Sequence, residues 1–496
     1  MLFNSFTFLL GFAPIAFLGF FLLGIRHRRL AAGWLALLSL VFYGWWNPYY
    51  IPILLLSVVF NYCAGVLIAR CGADAARRRK ALLILAVGTD LIALAYFKYA
   101  DFLVSNLSAL SGLELSMAKV ALPLGISFFT FTQIAYLVDT YKQKVKERNF
   151  IHYLLFVTYF PHLIAGPIIH HKDVMPQFAT PDTYRFSRDN FVIGSVVFVI
   201  GLFKKCFLAD GVAVFAAPVF LAAEHGAHLS FSEAWGGALA YTFQLYFDFS
   251  GYSDMAVGLS LMLNVRLPLN FNSPYKARNI IDFWKRWHIS LSTFLRDYLY
   301  IPLGGNRHGE SRRFVNLFLT MLIGGLWHGA GWTFVVWGGL HGLYLVVNHG
   351  WRNLRGKLPF PSFAGEAFAG AALTFFAVVV AWVFFRATSF HGAMTMLAGM
   401  AGANGFTPPA DAVVKDPMMN WIWCATLLAV TSLLPNTQEF VARRFADNSY
   451  FSIRPHAWNG TVWNTPGVLT AIGMGVLAAF ALMNLSQPSE FLYFNF

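Results

Sequence analysis

The chain has 496 residues, of which 57% are hydrophobic and 12% are charged, and its mean hydropathy is +0.57. A soluble domain normally carries about 25% charged residues, so this composition excludes an ordinary soluble protein and predicts an all-α polytopic membrane protein. The formal net charge of +13 fits loops that keep Lys and Arg in the cytoplasm, and no soluble basic domain is visible that would bind a nucleic acid.

Stretches of roughly 20 mostly apolar residues predict about a dozen transmembrane helices, the shorter ones compatible with re-entrant segments. We expect one membrane domain over residues 1–496. The predicted spans lie near 5–24, 31–46, 50–69, 81–97, 118–138, 150–170, 190–208, 233–249, 253–265, 314–333, 335–349, 367–386, 420–435 and 466–485.

Loop charges predict the orientation of the first spans. Arg26, Arg28 and Arg29 follow the first span, and Lys and Arg accumulate in cytoplasmic loops, so the N-terminus is expected to be periplasmic. No Lys or Arg precedes Arg26, so the N-terminal apolar segment is interpreted as a retained span and not as a cleaved signal peptide.

A polar cluster lies in the segment QLYFDFSGYSDMAVGLSL. Gln244 and Asp248 are four residues apart and therefore share a helix face. Gly251 is expected to break the helix, with Ser253 or Asp254 as the cap of the next one. Broken helices at membrane depth line cavities. Two interpretations remain equal: direct contact with substrate, or stabilisation of the break. The cluster consists of Gln244, Asp248, Ser250, Ser253 and Asp254, and the candidate substrate contacts among them are Gln244, Asp248, Ser250 and Asp254.

Residues 272–313 carry eight Lys or Arg against three Asp or Glu. The segment is too polar to span a membrane and too aromatic for a solvated loop, so we expect amphipathic helices at the cytoplasmic interface. Lys285 and Arg286 would attract an anionic substrate, and anchoring to anionic lipids is the alternative role.

His328 lies in GGLWHG, within a run from Phe314 to Trp351 that has no Asp, Glu, Lys or Arg. An ionisable side chain at membrane depth is costly and by default suggests a functional site. The flanking glycines permit either close approach of a substrate or close helix packing. They are Gly324, Gly325, Gly329 and Gly331.

Two other histidines are weighed against His328. His288 is close to Lys285 and Arg286, and these cations would favour its neutral form; a plain interfacial histidine is the alternative. His341 is interpreted as a structural hydrogen-bonding residue.

The sequence contains no GxSxG, Walker A, GxGxxG or HExxH motif and no metal-ligand spacing among its four cysteines. No metal is therefore expected, and histidine is the best base available for acyl transfer.

The ordered motifs of the chain resemble those of the membrane-bound O-acyltransferase family, in its bacterial alginate O-acetylase-like branch. They are PLGISFFTF at 123–131, FPHLIAGPI at 160–168, QLYFDFSGYSDMAVGL at 244–259, FWKRWHISLSTFLRDYLYIPLGGNR at 283–307 and NLFLTMLIGGLWHGA at 316–330. The resemblance runs over a core at residues 1–350. For residues 351–496, further transmembrane helices rest on hydropathy alone.

The resemblance implies a ring of spanning helices around a thin centre, with His328 as the invariant histidine and His288 at the second signature position. Trp327, which precedes His328, is a candidate substrate-binding residue. It implies an inner-membrane O-acetyltransferase without a bound cofactor, which takes acetyl groups from cytosolic acetyl-CoA through the basic segment 272–313. A periplasmic acetyltransferase partner would then modify an exported polysaccharide, alginate first, with cellulose or peptidoglycan as alternatives.

Two other functional classes compete with this expectation. Broken helices with intramembrane Asp and His also suit a transporter of acyl carriers or sugars, but carriers often have repeated halves and no internal repeat is visible. A scaffold that recruits a polysaccharide secretion complex would keep its partners when the histidines are removed.

Overall fold

In a computed structural model, the structure describes residues 1–117, 120–357, 365–407, 412–444, 468–487 and 491–492. Helices and turns account for the regular structure in these ranges, and none of them contains a β-strand, which confirms the all-α prediction. The α-helices are α1 (Ala13–Arg26), α2 (Arg28–Gly44), α3 (Ile51–Arg70), α4 (Ala76–Leu94), α5 (Ala100–Ser111), α6 (Ile126–Tyr141), α7 (Phe150–Thr158), α8 (Phe160–Leu163), α9 (His171–Ala179), α10 (Arg188–Phe203), α11 (Asp210–Glu224), α12 (Phe231–Met262), α13 (Ile280–Trp284), α14 (Ile289–Leu295), α15 (Gly309–His328), α16 (Trp332–Lys357), α17 (Glu366–Arg386), α18 (Phe390–Met400), α19 (Pro417–Leu433), α20 (Thr437–Arg444) and α21 (Val468–Met483).

Five helical stretches in the described residues are long and apolar enough to cross a membrane, and a pair bent by 45° (Pro417–Leu433 with Thr437–Arg443) makes six if it forms one span. The approximate figure of a dozen also includes shorter or more polar helices such as α2, α6 and α15. The predicted spans at 118–138 and 466–485 begin outside the described residues. The five stretches are Thr7–Arg26, Pro48–Arg70, Ala76–Ser111, Arg188–Glu224 and Glu366–Arg386.

The chain forms two compact units. The first comprises residues 1–199 and 252–268, and the second comprises 200–251 and 269–496; α10 and α12 each continue from one unit into the other. The expected single membrane domain, with a core up to residue 350, stays a prediction.

Within the first unit, the predicted span at 150–170 is wrong. It consists of the short helices α7 and α8, separated at Tyr159, whose ψ of 112° is not helical. Pro161 follows the break, and a proline disfavours helical geometry in the residue before it. The backbone N–H of Phe160 donates to Ser39 Oγ at 3.1 Å, so the interrupted backbone is satisfied inside the protein, as broken membrane helices require.

The predicted helix break at Gly251 is also wrong, because α12 runs without interruption for 32 residues. A Cβ at position 251 would lie 2.7 Å from the carbonyl oxygen of Gly201 and 3.0 Å from the backbone nitrogen of Lys205. Gly251 therefore lets α12 pack against the backbone of residues 201–205, in the manner of small residues between membrane helices.

The expectation that the whole segment 272–313 lies at the surface needs correction. Its first part forms α13, α14 and a π-helical turn at Arg296–Tyr300, while exposed residues concentrate at 306–312. Six apolar side chains of α13, α14 and their connection are buried in the second unit, because their aromatic and aliphatic surface is removed from water by packing in its core. They are Ile280, Phe283, Trp287, Leu291, Phe294 and Leu295.

Candidate active site

His328 is the last residue of α15, and Gly329 follows it with an extended backbone. Its side chain is buried among aromatic rings, with centroid distances of 4.9 Å to Trp327, 5.1 Å to Trp337 and 5.2 Å to Phe385. The ring therefore lies at the end of α15, against the aromatic side chains that surround it.

The glycines before His328 are used for helix packing. A methyl group at Gly325 would collide with the carbonyl oxygen of Phe334 and lie 2.9 Å from Cα of Gly338 on α16. A methyl group at Gly338 would lie 2.5 Å from the carbonyl oxygen of Met321. Of the two interpretations of these glycines, close packing is the one that the structure supports at Gly325, and this contact fixes the end of α15 that carries His328.

His288 connects α13 to α14 and is fully buried. Its backbone is left-handed, with φ 43° and ψ 55°, which is uncommon for a residue other than glycine. Its ring lies 4.8 Å from that of Phe249 and 6.5 Å from that of His328, centroid to centroid. Within the described part of the chain, neither ring nitrogen has a hydrogen-bond partner.

Burial lowers the pKa of His288 from its usual 6.5 to about 3. The imidazole is therefore neutral near pH 7, with one nitrogen as donor and the other as acceptor. The predicted cause was the neighbouring cations, and the structure gives burial instead. Lys285 is exposed, and Arg286 donates to Asp282 Oδ1 at 2.8 Å and to the carbonyl of Asn272 at 3.2 Å.

A small cavity adjoins His328 in the second unit. Its volume is about 10 Å³, at the lower limit for one water molecule. An acyl group is larger, so its entry requires side chains around the cavity to move. The lining is aromatic and aliphatic apart from the histidine: Leu245, Phe249, Trp287, His328, Trp337, Trp382 and Phe385.

Asp248 belongs to a buried ionic network. Lys205 Nζ lies 2.8 Å from Asp248 Oδ1 and 2.7 Å from Asp210 Oδ1, and the backbone N–H of Leu492 donates to Asp248 Oδ2 at 3.2 Å. The network fixes the turn of α12 from which Leu245 and Phe249 reach the cavity beside His328. Asp248 itself does not line that cavity.

The other predicted polar residues of α12 are buried at different places. Gln244 is buried next to Leu245 but is not part of the cavity lining. Ser250 is buried, and its Oγ has no hydrogen-bond partner among the described residues. Asp254 is buried in the portion of α12 that belongs to the first unit.

Sequence reasoning missed two kinds of residue at this site. The pair Lys204-Lys205 interrupts an otherwise apolar span, and a cation inside a span is a recognisable signal of function or pairing. By contrast, Trp337, Trp382 and Phe385 resemble ordinary apolar residues of membrane helices, and the sequence carries no signal that they surround a histidine.

Among the described residues, no group of three or more His, Cys, Asp or Glu is arranged to hold a metal ion.

The chain is similar to known proteins over most of its length. The model of the membrane-bound O-acyltransferase family matches residues 40–391, which include both histidines. The chain is 40% identical to a peptidoglycan O-acetyltransferase of Helicobacter pylori, over 100% of the chain and 98% of that protein.

The names of further relatives give different molecules as acceptors of the acyl group. A probable alginate O-acetylase of Pseudomonas putida is 45% identical, over 81% of the chain and 80% of that protein. A teichoic acid D-alanyltransferase of Streptococcus thermophilus is 28% identical over 53% of the chain and 68% of that protein. The chain therefore belongs to the membrane-bound O-acyltransferase family and is a multi-pass membrane O-acyltransferase.

Proposed function

We propose that this enzyme transfers acetyl groups from a cytosolic donor across the bacterial inner membrane, for O-acetylation of a polysaccharide outside the cytoplasm. The observation that carries the proposal is the pair of buried histidines, with ring centroids 6.5 Å apart beside an aromatic cavity. Histidine supplies the base for acyl transfer to a hydroxyl, and the dry surroundings suppress hydrolysis of the donor.

His328 acts as the base. It accepts the proton of the acceptor hydroxyl while the hydroxyl oxygen forms a bond to the acetyl carbonyl carbon. The carbon–sulfur bond of the thioester then breaks, and the leaving thiolate takes the proton from His328. In the second proposed mechanism, His328 carries the acetyl group transiently as acetyl-histidine.

His288 orients the reacting groups. Its neutral ring has a donor and an acceptor nitrogen without partners in the described structure, and a buried unpaired polar group is costly. A hydrogen bond to the acceptor hydroxyl or to the acetyl oxygen removes that cost. The interaction is strongest where charge develops in the transition state. Gln244, Ser250, Asp254 and Trp327 stay proposed substrate-contact residues, while Asp248 positions α12.

The donor proposed is acetyl-CoA, which the enzyme uses as a substrate. Lys285 is exposed beside the buried histidine and attracts the donor's phosphates, whereas Arg286 is held by Asp282 and Asn272 and has a positioning role. A periplasmic acetyltransferase partner then receives the acetyl group and delivers it to the polymer.

Alginate and peptidoglycan are the two proposed polymers. The relatives' names support both, because relatives of each name align with the whole chain at similar identity, 40% for the peptidoglycan O-acetyltransferase and 39% for a probable alginate O-acetylase of Azotobacter vinelandii. Both reactions use the same transfer of an acetyl group to a sugar hydroxyl.

Replacing His328 with alanine tests the proposal. We expect His328→Ala to remain inserted at the level of the wild type and to lose ester-linked acetate by at least about 10²-fold, the lower range for a general base. Acetate released by mild alkali is measured separately in the exopolysaccharide and peptidoglycan fractions of intact cells, so the fraction that loses acetate identifies the polymer. His228→Ala, at an exposed histidine, is the control. Unchanged acetate in both fractions would contradict the proposal and favour a transporter or a scaffold.

The donor side is tested at Lys285. The variant Lys285→Glu reverses an exposed charge, so we expect the KM for acetyl-CoA at low salt to rise. We also expect the KM to increase less with ionic strength than in the wild type, because salt screens the attraction that the variant has already lost. Acetyl transfer by purified enzyme in vesicles is measured at low and high salt. Lys357→Glu, at the exposed end of α16, is the matched control. Equal KM values in both variants would assign Lys285 to lipid anchoring.

A further inference from the structure

A second and larger cavity lies in the second unit, on the side of α12 that bears Tyr246 and Phe247. Its volume is about 280 Å³, against about 10 Å³ for the cavity beside His328. Most of its lining is hydrocarbon, including Phe203, Leu208, Val430 and Leu477. The cavity is therefore shaped for an apolar group much larger than water.

One end of this cavity is polar and positively charged. Lys204 lines it, and Lys204 Nζ donates to Thr437 Oγ1 at 2.7 Å. Asn436 lies beside Thr437 at the break between α19 and α20, and its Nδ2 donates to Ser273 Oγ at 2.9 Å. Lys204 is the charged residue among those that line the cavity, and Glu439 Oε2 is engaged by the backbone N–H of Asn436 at 3.2 Å. An ammonium beside hydroxyl and amide groups forms a suitable end for an anionic group.

The backbone explains how a lysine reaches this position. Residues Lys204–Ala209 form a π-helical turn, and such turns frequently mark functional sites. The adjacent Lys205 is directed to Asp248 and Asp210, while Lys204 faces the cavity. Two successive lysines of one span thus have different environments, and only the first faces a space that a ligand would fill.

The cavity adjoins a helix that packs loosely. Of the residues of α21, Ala481 alone is buried, and Met474 and Leu477 of this helix line the cavity. An empty apolar space forfeits contacts on all its walls, and water in it finds few polar partners. In a bilayer the molecules at hand that fill such a space are lipids.

We propose that this cavity binds one acyl chain of an acidic membrane phospholipid, with the lipid phosphate beside Lys204. The bound chain packs against Tyr246 and Phe247, on the turn of α12 that also carries Leu245 and Phe249 to the cavity beside His328. The lipid therefore supports the wall of the active site without touching the reacting groups.

The test compares the full-length protein in phosphatidylcholine vesicles with and without phosphatidylglycerol. Native mass spectrometry after detergent extraction counts retained lipids, and thermal unfolding measures stabilisation, since a ligand that binds the folded state raises the midpoint. We expect the wild type to retain one phosphatidylglycerol and to gain stability from it. The variant Lys204→Gln should reduce retention about tenfold, the effect of losing one charge-assisted contact.

A second variant fills the apolar part of the cavity. Leu477→Trp should abolish retention, because the indole fills the space of the acyl chain. Val476→Trp, at a neighbouring residue of α21 that is 48% exposed, should retain lipid like the wild type. Lys357→Gln is the charge control. Equal retention of phosphatidylcholine and phosphatidylglycerol, or undiminished retention in both Lys204→Gln and Leu477→Trp, would overturn the proposal. His328→Ala should bind lipid normally, so this result is independent of the proposed function.

Discussion

His288 combines two unfavourable features in one residue. A left-handed backbone at a residue other than glycine costs about 1–3 kcal/mol, and its buried nitrogens lack hydrogen bonds among the described residues. Backbone strain of this kind tends to occur where function requires it. The ring faces His328 at a centroid distance of 6.5 Å, so we attribute both features to the position that catalysis requires of this side chain.

Replacement of His288 with asparagine separates backbone from side chain. Asparagine tolerates the left-handed region, so we expect His288→Asn to fold and to lose acetyl transfer by about 10²-fold, as for loss of one transition-state donor. In His288→Val, a β-branched side chain is strained at this φ, so folding yield should fall as well. Acetate release and the yield of purified protein measure the two effects. Full activity in the asparagine variant would remove His288 from the mechanism.

The lowered pKa of His288 gives the same variant a second readout. The folded pKa of about 3 lies below the usual 6.5, so between these values the unfolded chain binds more protons than the folded chain. Stability from this group is present above about pH 6.5 and is lost as pH falls. The unfolding midpoint of the wild type, relative to that of His288→Asn, should therefore fall between pH 7 and pH 5. A constant difference would contradict the burial of a neutral ring.

For single residues, the sequence predicts which side chain is reactive better than it predicts which side chains contact each other. His328 could be chosen because an uncharged run isolates it and a motif surrounds it. The pairing of Asp248 with Lys205 could not be predicted, because the two residues lie 43 positions apart and on different helices. The burial of His288 could not be predicted from the sequence either, since its near neighbours Lys285 and Arg286 suggest a solvated surface.

At the scale of elements, the glycines were the ambiguous signals. A glycine inside a helix costs about 1 kcal/mol relative to alanine, which is too little to break a long apolar helix, and Gly251 accordingly lies within α12. Pro161 and the Tyr159 backbone do interrupt the segment 150–170. Hydropathy alone cannot distinguish a span from two short helices, because both bury the same apolar residues.

The contact between α15 and α16 predicts contrasting effects of alanine at two glycines. Gly325→Ala places a methyl group against the backbone of Phe334 and Gly338, so we expect destabilisation of about 1–3 kcal/mol from overpacking, with reduced acetyl transfer as His328 shifts. Gly339→Ala meets Leu322 at an ordinary 3.8 Å. It should be neutral or slightly stabilising, since alanine favours helix. Thermal unfolding and acetate release are measured for both. The same behaviour in the two variants would show that this contact does not position His328.

For the whole molecule, composition predicted the all-α membrane class and the motifs predicted the family. The number and ends of the spans were less predictable, because several helices contain polar residues that are buried by other helices. Lys205 and Asp248 illustrate this point: each lowers the hydropathy of its segment, yet each is satisfied by the other inside the protein.

The predicted orientation is tested on the two ends of one span, Pro48–Arg70. Lys and Arg near Arg70 should be cytoplasmic, so Tyr49→Cys should react with a membrane-impermeant maleimide on intact cells, and Asp74→Cys only after the membrane is opened. The four native cysteines are first replaced by serine. Labelling of Asp74→Cys alone on intact cells would reverse the orientation and place the N-terminus in the cytoplasm.

The length of α15 sets the distance that a donor must span between a charge bound at the start of the helix and His328. The helix has 20 residues, with Arg312 and Arg313 in its first two turns and His328 at its last position. At 1.5 Å per residue, these charges lie about 23 Å from His328 along the helix axis. A donor held by its charge at the first turn reaches the histidine only if a long arm separates that charge from the acyl group. Small activated acids such as acyl phosphates lack such an arm, so the enzyme would discriminate among donors by reach as well as by chemical recognition.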